Sequence, residues 1–198
     1  MTYPEFFKNI ETIKLQDDLS LFLGAFEDGI IEFSYLDVVK TAGHSCPTVL
    51  GAYLMTLEAL KALYPDDIAK RGEILVEFSE RQSEGVAGVI ANVITNITGA
   101  CTNNGFKGIA GNFDRNYLLK FEQELNGASA RFTRKDSKQS VDVIYNPSSI
   151  QFHPSMQALM QKCVQGNASS EERVEFGKLW QQRVEDISNN IDVVIKVN

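Results

Sequence analysis

Gly43-His44-Ser45-Cys46-Pro47, followed by Leu50, Tyr53, Leu54, Leu57, Leu60 and Tyr64 ahead of Pro65, is the stretch on which the fold turns. Pro47 suits the first position of a helix, since it has no amide hydrogen to leave unpaired and its φ is already close to helical. The apolar residues behind it recur at three- and four-residue steps, the period of one helical face, and Pro65 ends the run. Cys46 therefore falls at the N-cap, where free amides and the helix dipole favour a thiolate, the form that binds metal or attacks. His44 adds an imidazole two residues earlier. Alone, the pair reads either as two soft ligands or as a turn histidine beside a small buried cysteine.

On either side of this stretch the pattern is less uniform. Tyr3 to Leu23 is predicted helical from Phe6, Ile10, Ile13, Leu19 and Leu23, with Asp17-Asp18 as the alternative start of a second turn system, and Gly29 to Val39 fits strand or helix equally. Glu73 to Phe78 is a short apolar, β-branched run that suits a buried strand. Ser83 is placed to cap a helix that carries Val86, Val89, Ile90, Val93, Ile94 and Ile97 on one face and ends at Thr98-Gly99. Tyr117 to Gln123, Ala128 to Arg134 and Gln139 to Tyr145 read as an antiparallel meander. Two helices follow, one opening at Pro154 and one with a capping box from Ser169 to Glu172, and Ile191 to Val197 offers a last edge strand. The fold class is α+β, an antiparallel sheet with helices packed against it. We divide it into a core over residues 1–150 and a helical C-terminal extension over 151–198.

The 198 residues, 43% apolar and 23% charged, belong to an ordered globular chain large enough for a good core. With 19 basic against 26 acidic residues the formal charge is −7 and no basic face is visible, which disfavours nucleic acid and anionic membranes as partners. No apolar run reaches the roughly 20 residues that span a bilayer, and residues 1–14 lack the form of a signal peptide, so a cytoplasmic location is expected. Three cysteines, Cys46, Cys101 and Cys163, cannot all pair within one chain, and ligands, reactive thiols or core residues explain them better than a disulfide framework.

Cys101 leaves the end of the β-branched helix in Thr98-Gly99-Ala100-Cys101-Thr102 and enters a glycine-rich loop, the position of a residue at the edge of a cavity. It is the candidate third ligand. Gly105, Gly108 and Gly111 are three apart, but a phosphate-cradling loop needs a strand before it and a helix after it, and here the order is reversed. His153 has no cysteine or carboxylate neighbour in sequence, Cys163 falls on the inward face of its helix, and Lys107 and Asn112 are ordinary turn formers. Tyr53 either lines the site or fills the core.

These elements together resemble the E-subunit family of formylmethanofuran dehydrogenase. Gly43-His44-Ser45-Cys46-Pro47 with Leu50-Gly51, then Glu77 in a strand, then Thr98-Gly99-Ala100-Cys101-Thr102, stand in the family's order and at compatible spacing. Thr48 replaces the family's glycine after the proline, Ala100 is an added residue, Asn92 falls where many members carry an aspartate, and Thr95 lies near a usual glutamine. Nothing after Tyr145 offers the four-cysteine zinc finger of the longer members.

The resemblance implies an α+β core assembled as a homodimer with a cavity near the subunit contact, and a metal site that uses His44, Cys46 and Cys101. It does not imply formylmethanofuran chemistry. Imidazole and thiolate suit zinc first, then nickel or iron, and three such ligands leave a fourth position open for water, a substrate thiol or Glu77. Cys46 and Glu77 are the candidate catalytic groups. Three functions follow as expectations: a metal-binding metallo-enzyme or accessory subunit, a thiol or sulfur relay serving a larger oxidoreductase through Cys46 and Cys101, or a non-catalytic adaptor.

Overall fold

The computed structural model describes residues 2–198. After a 3-10 turn at Glu5–Asn9, strand β1 (Ile13–Gln16) buries Ile13 and Leu15 and exposes Lys14. The expected N-terminal helix is thus corrected: two-residue alternation decides this segment, and Asp17 breaks it by capping a short helix α1 (Asp18–Leu23), its Oδ1 accepting from the amides of Leu19 and Ser20. The ambiguous stretch becomes both elements. Strand β2 (Ile30–Phe33) gives way at Ser34, whose capping box with Asp37 starts helix α2 (Tyr35–Ala42).

Helix α3 (Pro47–Leu63) begins and ends close to the reading from sequence, and it is buried on nearly every side, as befits a central helix. Strands β3 (Ala69–Lys70) and β4 (Ile74–Glu77) follow. Helix α4 (Ala87–Thr98) starts later than Ser83 implied, because Gly85 takes a left-handed φ of +51° just ahead of it; Val86 and Val89 are exposed. Strands β5 (Leu119–Lys120), β6 (Ala130–Arg134) and β7 (Ser140–Tyr145) come next, then helices α5 (Met156–Val164), α6 (Ser170–Ser188) and the short α7 (Ile191–Val194), and last strand β8 (Ile195–Val197).

Two sheets form, in the orders β2-β1-β3 and β5-β4-β6-β7-β8. Both are mixed, which corrects the expectation of an antiparallel sheet: β3 runs parallel to β1, and β5 parallel to β4. The cause of the second is a crossover. From β4 the chain passes through α4 and a long loop, and re-enters beside β4 in the same direction. Left-handed backbone at Tyr117 and Glu122, both with φ of 59°, trims the expected strand over Tyr117 to Gln123 to two residues. Of the expected meander only the β6-β7 pair is antiparallel as read, since β4 takes the place beside β6 that was expected for β5, and β8 extends the sheet as an edge strand on β7.

Helix α3 covers the inner face of the larger sheet, where Ile74, Val76, Phe132 and Val143 are buried, and α4 packs on α3. Helix α6 opens with the Ser169–Glu172 capping box and adds Val184 and Ile187 to the same core, which is continuous from Phe6 to Ile195. None of the described helices is long and apolar enough to cross a membrane.

One buried carboxylate joins these parts. Asp17 accepts from Arg115 at 2.6 Å and from Arg71 at 2.9 Å, while Arg71 also donates to the carbonyls of Ile97 and Asn96 at the end of α4. Burial works to raise the Asp17 carboxyl, but the hydrogen bond from Arg71 and the charge of Arg115 outweigh it and hold the group below the usual range. Asp17→Ala is expected to lower unfolding free energy by about 3–5 kcal/mol, since it leaves Arg115 buried without a counter-charge. Because the folded group has the lower pKa, its contribution is complete above the ordinary aspartate value of about 3.9 and is lost as pH falls through the folded one. Chemical denaturation of wild type and variant at pH 7 and pH 3 should show the gap closing on the acid side.

Candidate functional site

Gly43 closes α2 in a left-handed conformation with a φ of 76°, turning the chain so that His44 projects. The His44 ring is exposed and its Nδ1 lies 3.0 Å from the Ala42 carbonyl oxygen. A carbonyl only accepts, so Nδ1 carries the proton and Nε2 holds the free lone pair, the arrangement typical of a metal-ligating imidazole. His44 borders a pocket of about 210 Å³ with Thr41, Asn92, Asn96, Val89 and Val93. Beside His44 its polar side chains are those of Thr41, Asn92 and Asn96, with no carboxylate.

Ser45 is held from three sides. Its hydroxyl lies 2.9 Å from Tyr35 Oη, and its carbonyl accepts from Trp180 Nε1 at 3.1 Å and Gln181 Nε2 at 3.2 Å, both on α6. Cys46 is the N-cap read from the sequence, its sulfur accepting from the Val49 amide at 3.4 Å. It is half-buried near Tyr35 and Tyr145, whose phenols burial pushes well above their ordinary range. Tyr145 donates to the Pro47 carbonyl at 2.7 Å, and its ring packs against Gly51, where a Cβ would stand 2.2 Å from Cε1. Gly51 is thus the residue that lets β7 pin the start of α3.

The other candidates sit elsewhere. Glu77 faces Arg131 across the β4-β6 register on the outer side of the sheet, away from Ile74 and Val76; Arg131 itself forms a fork to Asp142 at 2.6 and 2.8 Å. Cys101 lies past α4, clasped by the loop that leads to β5: its amide donates to the Arg115 carbonyl, and its carbonyl accepts from Leu118 and Leu119. Burial pushes the Cys101 thiol up, against the opposing charges of Arg71 and Arg115, and Sγ lies 3.5 Å from the Gly99 carbonyl. Among the described residues, no three His, Cys, Asp or Glu side chains come together in a way that could hold a metal ion. His44, Cys46 and Cys101 of one chain are therefore not brought together as such a group.

The glycine of Thr98-Gly99-Ala100-Cys101-Thr102 has a packing role. A Cβ on Gly99 would lie 2.3 Å from Arg115, and one on Gly72 2.5 Å from the same guanidinium, so both glycines make room for it. Tyr53 is core, its hydroxyl donating to the carbonyls of Glu11 and Phe33. Cys163 is half-buried between α5 and α6, and His153 bonds Ser155. The pairing of Asp17 with Arg71 and Arg115, and the holds of Tyr145 and Trp180 on the motif, carry no local signal in the sequence pattern. Only Gly51 and Gly99 could have hinted at them, as places where a large side chain needs room.

The site thus belongs to a mixed α+β protein with a His-x-Cys turn at the head of a buried helix, braced by a C-terminal helix. The family described as FmdE, molybdenum formylmethanofuran dehydrogenase operon, matches residues 41–195, and the chain is a member of it. No curated protein matches the chain. Gly51→Ala should cost about 1–3 kcal/mol, because the Tyr145 ring must move and release Pro47; thermal denaturation will check this, and Tyr145→Ala should recover part of the loss in the double variant.

Proposed function

We propose that this chain is an accessory subunit of a larger oxidoreductase, in which His44 and Cys46 supply half of a metal site and a second subunit, in the first instance another copy of this chain, supplies the rest. The observation that carries the reading is the His44 ring. Its Nδ1 is committed to the Ala42 carbonyl, which leaves Nε2 free two residues from a sulfur at the amide end of α3. Membership of a family described by a dehydrogenase operon supports a role beside such an enzyme. Zinc suits the two donors best, with nickel or iron next.

An accessory role is favoured over independent catalysis by the groups around His44: the pocket contributes Thr41, Asn92 and Asn96 but no carboxylate to serve as acid or base. A relay through Cys46 and Cys101 is less well supported, since burial works to keep the Cys101 thiol protonated. Elemental analysis of protein purified without an affinity tag tests the reading, with sedimentation to count subunits. Wild type should retain zinc, and His44→Ala and Cys46→Ser should each weaken it by at least about tenfold. Equal metal content in all three would overturn it.

A further inference from the structure

We propose that helix α1 and the loop that leans on it form a docking face for an amphipathic helix of another protein, one whose apolar stripe is bordered by lysine or arginine. Helix α1 is turned inside out. Its buried residue is Ser20, whose hydroxyl finds no partner, while Leu21, Phe22 and Leu23 are 49%, 61% and 61% exposed and Phe26, just beyond, is 53% exposed. A surface helix ordinarily does the reverse. Nor is it a frayed turn: Asp17 caps its start, Gly24 closes its end with a left-handed φ of 67°, and the ion pairs of Asp17 fix that cap to Arg71 and Arg115.

The loop before β5 enlarges the face. Its Phe113 ring packs on Phe22 with 5.4 Å between centroids, and Phe113 holds a left-handed φ of 65° that a bulky residue adopts only at a cost. Backbone bonds between Ile109 and Asn112, and from the Arg115 amide to the Phe106 carbonyl, give the loop the form of a hairpin, and the Arg115 side chain ties it to the cap of α1.

Size and charge decide what covers this face. Four apolar side chains, each about half exposed, offer on the order of 400 Å², about half of the ~800 Å² that each partner gives to a stable interface between whole subunits. That is the footprint of one helix. Residues 17–29 contain four carboxylates and no lysine or arginine. Asp18 lies one turn before Leu21 and Phe22, Glu27 and Asp28 follow Phe26, and Asp114 follows Phe113; all four are exposed, and none forms an ion pair among the described residues. Lys107 is the one exposed cation of the loop over residues 102–117. Two copies face to face would set these acidic rims against each other at a cost, whereas a basic border complements them. Neither His44 nor Cys46 takes part, so this docking stands or falls apart from the metal reading.

The probes are two synthetic amphipathic helical peptides with the same leucine stripe, bordered by lysine in one and by glutamate in the other, followed by fluorescence anisotropy on the full chain. Wild type should bind the lysine peptide saturably, one per chain, and the glutamate peptide at least about tenfold more weakly. Phe22→Asp should cost the lysine peptide at least about tenfold even though it makes the chain more acidic, which separates docking from unspecific attraction; Val164→Asp, at an 83% exposed position on α5, should leave binding unchanged. Glu27→Lys, which keeps the apolar face, should narrow the preference between the peptides. Equal affinity for the two peptides in wild type overturns the proposal and requires no variant, and so does equal binding by Phe22→Asp and Val164→Asp. A wild-type dimer that Phe22→Asp separates in sedimentation, or binding to phosphatidylcholine vesicles that Phe22→Asp abolishes, also overturns it, for then a second copy or a bilayer covers the face.

Discussion

Much of this structure follows from the burial of Asp17. Its carboxylate is shut away from water, so it must be paired, and the two arginines that pair it come from distant places: Arg71 just after β3 and Arg115 in the loop before β5. Arg71 then spans to the last carbonyls of α4, and Arg115 needs Gly72 and Gly99 bare to reach its seat. The small sheet, the end of α4 and the loop that holds Cys101 are thereby locked as one unit. The second cysteine motif belongs to this lock.

The first motif is fixed by different partners. Tyr35 and α6 hold Ser45, and Tyr145 holds Pro47 by lying on Gly51. Cys46 is thereby held at its cap, and the His44 ring is oriented by the Ala42 carbonyl. The backbone on either side of His44 and Cys46 is held by contacts within this chain.

Legibility in the sequence followed from how local each determinant is. Pro47, the Cys46 cap, the Ser169–Glu172 box and the alternation in β6 and β7 are decided within a few residues, and all were readable. The short helix α1, the shortness of β5 and the late start of α4 depend on Asp17, on left-handed Tyr117 and Glu122, and on Gly85, single residues that override the surrounding period, while the parallel placement of β5 follows from the long crossover before it. The motif residues themselves were found, but proximity was not: Cys101 sits in order with the family pattern while its surroundings are set by Arg115, fourteen positions on, which carries no local signature. Spacing along a chain orders ligands; it does not bring them together.

The two cysteines differ in surroundings: Cys46 caps α3 and is the sulfur ligand of the metal site proposed above, whereas Cys101 is part of the lock. Cobalt(II) titration separates the two, because thiolate bonded to cobalt gives a charge-transfer absorption that counts the sulfur ligands. The band should be lost in Cys46→Ser and unchanged in Cys101→Ser. Loss of the band in Cys101→Ser, with the fold intact by circular dichroism, would contradict the assignment.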